Sequence, residues 1–105
     1  MFLKSLFRRI PSVSTTELET LMKERINLLD VRTPAEFQAG HIRGAKNVPL
    51  TEIQHYQNKD QVYVICQSGM RSKRAAQILS DKGIDVVNVR GGMSAWAGRR
   101  VTGKK

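Results

Sequence analysis

Cys66 is the only cysteine among 105 residues, and the stretch that follows it, Gln67-Ser68-Gly69-Met70-Arg71-Ser72, has the residue types and spacing of an anion cradle. A thiol attacks as its thiolate, so a cysteine built for chemistry needs groups around it that stabilise negative charge. Gly69 lets a loop take positive φ and turn its amide hydrogens toward the sulfur. Arg71 brings a cation, and a helix expected to begin near Ser72 points the positive end of its dipole at the same place. Gln67 and Ser68 are candidate polar donors to a bound anion, and Met70 is a candidate apolar, polarizable rim. The thiol pKa is therefore expected to fall, and nucleophilic sulfur chemistry to follow. The alternative for a lone cysteine is a buried structural residue, but packing gives no reason for Gly and Arg at these offsets, followed at once by a helix start.

Such a site belongs at the carboxyl end of a strand in an open parallel sheet. Gln61-Val-Tyr-Val-Ile65 is β-rich, mostly apolar and runs straight into Cys66. Ser72 is placed to cap a helix from Lys73 to about Lys82, with Ala75, Ala76 and Leu79 on its buried face and Gly83 closing it. Upstream, Ser14-Thr-Thr-Glu17 fits a capping box and predicts a helix through about Arg25 that buries Leu18, Leu21 and Met22. Leu28 to Val31 reads as a strand covered on both faces. Thr33-Pro34-Ala35-Glu36 is a second capping box with Pro in the first turn, and Gly40 is expected to end that helix at positive φ. A short strand within residues 44–48, a brief helix from Thr51 to Tyr56 and a last strand from Val86 to Val89 follow, the last leading into Gly91-Gly92 and a turn from Met93 to Ala97. This alternation predicts one α/β domain, a mainly parallel sheet with helices on both faces.

Composition is consistent with that size of fold. With 40% hydrophobic and 26% charged residues the chain can build one modest core. No apolar run approaches the roughly 20 residues that span a bilayer, and the start, Met1 to Ile10, lacks the apolar core and small-residue cleavage site of an export signal. A soluble, cytoplasmic chain is expected. One Cys and two scattered His residues make neither a disulfide nor a zinc-ligand set, so no metal and no cofactor are expected. Of the net charge of +9, residues 1–10 contribute +3 and residues 99–105 contribute +4, which leaves the stretch between at +2. The ends are read as solvated basic termini, an amphiphilic 1–10 segment and a 99–105 tail. Nucleic-acid binding is not expected of the nearly neutral middle, and membrane contact through Phe2, Leu3, Leu6 and Phe7 is the lesser reading of the start.

Asp30-Val-Arg32, Glu36-Phe37, Gly40-His-Ile-Arg-Gly-Ala45, Asn47-Val-Pro49, Cys66 to Ser72 and Val89-Arg-Gly-Gly92 together resemble the rhodanese-like domain family, in family order and spacing, over about residues 11–98. The resemblance implies a five-stranded parallel sheet between helices. It also implies a sulfurtransferase: Cys66 would take a sulfane sulfur from a small sulfur-containing anion such as thiosulfate, hold it as a persulfide, and pass it to cyanide, a thiol or a protein cysteine. In that mechanism the amides of residues 67–71 stabilise the sulfur anion and Arg71 holds the donor, while Asp30 and Arg32 serve as structural support. His41 is read as a hydrogen-bonded structural residue, and Met93 and Trp96 as core. Two other readings stand beside this one. A catalytically silent interaction domain keeps the fold and loses the chemistry. Cysteine phosphatases and arsenate reductases of similar architecture resemble Cys-x5-Arg, whereas only four residues separate Cys66 from Arg71, a ring better sized to one sulfur atom.

Overall fold

The structure, a computed structural model, describes residues 9–104. Its elements are β1 (Ser12–Val13), α1 (Thr15–Leu21), β2 (Asn27–Asp30), α2 (Pro34–Ala39), β3 (Lys46–Asn47), a 3-10 turn (Leu50–His55), β4 (Val62–Ile65), α3 (Met70–Asp81), β5 (Val86–Val89) and α4 (Gly92–Ala95). The strands form one parallel sheet in the order β1-β5-β4-β2-β3. This is the five-stranded parallel α/β architecture expected from the sequence. Residues 1–8, which hold most of the basic amphiphilic start, lie outside the described residues, as does Lys105.

The period of two along each strand divides the core. Leu29, Val31, Val62, Val64 and Cys66 face α3 and the 3-10 turn, where Ala75, Ala76, Leu79 and Ile53 meet them. Leu28, Tyr63, Ile65, Val87 and Val89 face the other way, against Leu18 of α1, Phe37 of α2, and Met93 and Trp96 at α4. Helices thus cover both faces, and the alternation that buries Val62 and Val64 carries Cys66 onto the α3 side.

Both capping boxes form. The Glu17 amide donates to Ser14 Oγ at 3.0 Å and the Glu36 amide to Thr33 Oγ1 at 3.2 Å, each with the reciprocal bond back to the cap. Helix ends differ from expectation. The first helix stops at Leu21 instead of about Arg25, because Lys23, Glu24 and Arg25 are exposed and have no face to bury. Gly40 has φ 166°, which is extended backbone, so α2 ends without a left-handed residue and the Gly40 amide closes back on the Phe37 carbonyl at 3.2 Å. The segment after Pro49 is 3-10, and its N-cap offers no side-chain bond.

The C-terminal segment is not a free tail. Arg100 Nη2 donates to the carbonyls of Met93 at 2.7 Å and Trp96 at 3.0 Å, a cation on the last carbonyls around α4. Val101 and His41 exchange backbone bonds at 2.8 Å each way, and the Gly103 amide reaches the Gln38 carbonyl. His41 itself is buried, with Nδ1 2.7 Å from the Phe37 carbonyl oxygen and its ring stacked on Phe37 at 3.6 Å between centroids. That is the hydrogen-bonded histidine expected, apart from Nε2, which has no hydrogen-bond partner among the described residues.

Candidate active site

Cys66 stands one residue beyond the end of β4, 0% exposed, at the floor of a cup made by its own loop. Gly69 forms that cup. At φ +106° it takes the left-handed conformation closed to most side chains, and its amide donates to Cys66 Sγ at 3.0 Å. The turn also makes Gly69 the N-cap of α3, so the helix begins at Met70, two residues before the expected Ser72 cap. Ser72 is instead buried in the first turn. In the thiol form Cys66 Sγ donates to Ser72 Oγ at 3.4 Å, and the Ser72 hydroxyl donates to the Gly69 carbonyl at 3.2 Å. A hydroxyl rotates freely, so it can turn to donate to a thiolate once the proton leaves. Burial pushes the thiol pKa up, but the Ser72 hydroxyl and the amides of Ser72, Gly69 and Ser68 outweigh it, and the net shift is downward.

A second glycine closes the cup from behind. At Gly92 an added Cβ would lie 2.4 Å from the Cys66 carbonyl oxygen and 2.6 Å from that of Gln67. That close approach brings the amides of Met93 and Ser94 within 2.8 and 2.9 Å of the same two carbonyls. The carbonyls bond backward to α4, which leaves the amides of the loop free to face the sulfur.

Asp30 and Arg32 form a buried ion pair, Nη2 to Oδ2 2.7 Å, with Nε and the backbone amide of Arg32 both 3.0 Å from Oδ1. The rest of the guanidinium reaches the Gly40 carbonyl at 2.8 Å and Gln67 Oε1 at 3.2 Å. Gln67 in turn donates to Ser94 Oγ at 3.1 Å, so its side chain links β2 to α4 and is engaged away from the sulfur. Asn47 Nδ2 bonds the Asp30 and Arg32 carbonyls, both at 2.9 Å. Met70 is helical and 80% exposed, the one large apolar side chain so exposed among the described residues. Ser68 is exposed at the lip.

Arg71 has a partner that the sequence reading did not assign. Its Nη1 and Nη2 donate end-on to Glu36 Oε1 and Oε2, at 2.7 and 2.9 Å. The Arg71 guanidinium and the Thr33 cap together hold the Glu36 carboxyl down to about 2. Ser72, Glu36, Gly92 and Ser94 are the site residues that sequence reasoning missed. Each had a sufficient local role as a helix cap or turn residue, which hid the longer contact.

The family model for the rhodanese-like domain matches residues 14–99. The chain is 38% identical over 97 residues to the uncharacterized protein YqhL of Bacillus subtilis, covering 88% of this chain and 77% of that one. It is 35% identical over 95 residues to the thiosulfate sulfurtransferase GlpE of Pseudoalteromonas translucida, covering 86% and 89% of the two chains. The crystal structure of a rhodanese-related protein from Thermoplasma volcanium superposes with a TM-score of 0.82 at 31% identity, covering 89% of this chain and 99% of that one.

Proposed function

The chain belongs to the rhodanese-like domain family, and on that premise we propose that it is a sulfurtransferase that carries a sulfane sulfur as a Cys66 persulfide. The observation that carries this reading is the sulfur's surroundings: an amide at 3.0 Å, a rotatable hydroxyl at 3.4 Å and the head of a twelve-residue helix. These groups favour a thiolate inside an otherwise apolar layer. The Cys66 thiolate attacks the outer sulfur of thiosulfate, a Cys–S bond forms, the S–S bond of the donor breaks, and sulfite leaves with the electron pair. Cyanide or a thiolate then attacks the terminal sulfur and restores the Cys66 thiolate. Both anionic states face the same amides of residues 67–71, so the site needs no rearrangement between half-reactions. Asp30 and Arg32 support the cup through Gln67 and stay out of the chemistry. Neither half-reaction calls for a metal or cofactor, and an unpaired thiol of this kind works in a reducing compartment such as the cytoplasm.

Intact mass of the reduced protein, before and after thiosulfate, tests the reading. A gain of about 32 Da, one sulfur, that cyanide reverses is the expected result. A folded protein that takes no sulfur from thiosulfate or from an aromatic thiosulfonate would leave the interaction-domain reading in its place. Ser72→Ala removes the one side-chain donor to the thiolate among the described residues, so the pKa of Cys66 rises. The pH profile of persulfide formation, which climbs as the thiol ionises, is then expected to move to higher pH while its plateau changes little. An unmoved midpoint would show that the amides alone set the thiolate.

A further inference from the structure

Arg32, which bonds Gln67, and Arg71, which lies in the loop itself, each already hold a carboxylate. Arg32 is closed against Asp30 in the interior, with side chains 4% and 1% exposed. The Arg71 and Glu36 side chains are 36% and 34% exposed, so this pair faces solvent, with Arg71 near enough to Cys66 for their charges to interact. Glu36 is also held from behind: Oε1 accepts from the Thr33 amide at 2.9 Å and from Thr33 Oγ1 at 3.1 Å, bonds that would have to break for the carboxylate to swing away from the guanidinium. A guanidinium has two bidentate edges, and here the end-on edge is filled. An incoming anion meets the remaining edge of a cation whose charge is balanced, with a second negative group on the same guanidinium.

The wall beside Arg71 points the same way. A cavity of about 530 Å³ opens there, lined by Val31, Pro34, Pro49 and Leu50 together with Thr33 and Thr51, and with Glu52 as its other charged side chain. A space of that volume suits a small organic body more than a compact, strongly hydrated dianion.

We infer that Glu36 is a charge filter on the sulfur donor: by balancing Arg71 it disfavours dianions and selects donors that carry the sulfane sulfur on a singly charged organic group. The inference rests on the sulfurtransferase reading above and deepens it. Glu36 acts through Arg71 and is a positioning residue, so its signature is a dependence on donor charge and not a uniform loss of rate.

The test compares kcat/KM for thiosulfate, a dianion, with that for benzenethiosulfonate, a monoanion, in the wild type and in Glu36→Gln. In a ping-pong scheme this constant reports the donor half-reaction alone. Glutamine keeps the shape and an acceptor oxygen but removes the charge. At roughly the strength of one exposed charge pair, the variant should gain about threefold for the monoanion and about tenfold for the dianion, carried by KM with kcat little changed. Equal changes for both donors, no change, or a weakened thiosulfate reaction would overturn the filter. Should Glu36→Gln fail to fold by circular dichroism, the wild type decides. Sulfate should inhibit transfer from benzenethiosulfonate no better than methanesulfonate despite its second charge, and tenfold tighter inhibition by sulfate would overturn the inference. A wild type that takes sulfur from neither donor refutes the sulfurtransferase reading itself, an outcome distinct from all of these.

Discussion

Cys66→Ser is expected to fold as the wild type does and to take up no sulfur. Serine is the smaller neighbour in shape, and the Gly69 amide and the Ser72 hydroxyl that now sit 3.0 and 3.4 Å from sulfur remain to bond an oxygen. Placing a bonded hydroxyl in this layer should cost only about 1 to 2 kcal/mol. The chemistry is lost outright, because the cup lowers the pKa of a thiol and so favours its thiolate, whereas an alcohol in the same cup stays protonated. A hydroxyl also lacks the affinity of sulfur for sulfur. A thermal melt within a few degrees of the wild type, together with no mass gain after thiosulfate, is the result that fits. A fully active serine variant would end the persulfide mechanism.

Asp30→Ala is expected to do the reverse, damaging the fold more than the reaction. It removes a carboxylate that takes bonds from three nitrogens of Arg32, at 2.7 Å from Nη2 and 3.0 Å from both Nε and the backbone amide, and leaves the guanidinium buried and unpaired. Breaking a buried pair in this way costs about 3 to 5 kcal/mol. Domains of this kind are commonly stable by only about 5 to 15 kcal/mol, so urea denaturation should show much of the stability gone. The double variant Asp30→Ala, Arg32→Leu should recover part of the loss, since no buried charge is then left over. Per folded molecule, sulfur transfer by Asp30→Ala should stay within a few-fold of the wild type. Unchanged stability with a collapse of kcat would instead place Asp30 in the reaction.

What the sequence makes legible here is mainly local. The Ser14/Glu17 and Thr33/Glu36 boxes are four-residue signals, and each opens a helix where it was read. The apolar run ending at Cys66 and the alternation of strands and helices suffice for a parallel sheet with the sulfur at a strand end. The less legible features depend on contacts between distant residues. Glu36 already has a complete role three residues from Thr33, so nothing in the sequence announces that its carboxylate also meets Arg71. Ser72 reads as a cap because serines often are, yet Gly69 takes that position through its backbone conformation and leaves the hydroxyl to the sulfur. The basic residues after Trp96 read as a solvated end, and only the fold reveals that Arg100 has carbonyls to bond. In each case a residue with one sufficient local explanation has a second role visible only in three dimensions.

The pairing of β1 with β5, Ser12 beside Asn88 and Val13 beside Val89, joins the first strand of this sheet in chain order with its last. Contacts this remote in sequence close late, because the intervening chain must be ordered before they contribute. Cys66 leaves the ribosome before β5, and before the Gly92 turn that bonds its carbonyl. During biosynthesis, then, the thiol passes through an interval in which it is an ordinary, unguarded cysteine. Bulky thiol reagents should therefore modify Cys66 chiefly in nascent and refolding chains, while in the finished molecule the same sulfur lies at the floor of its cup, open only to small donors.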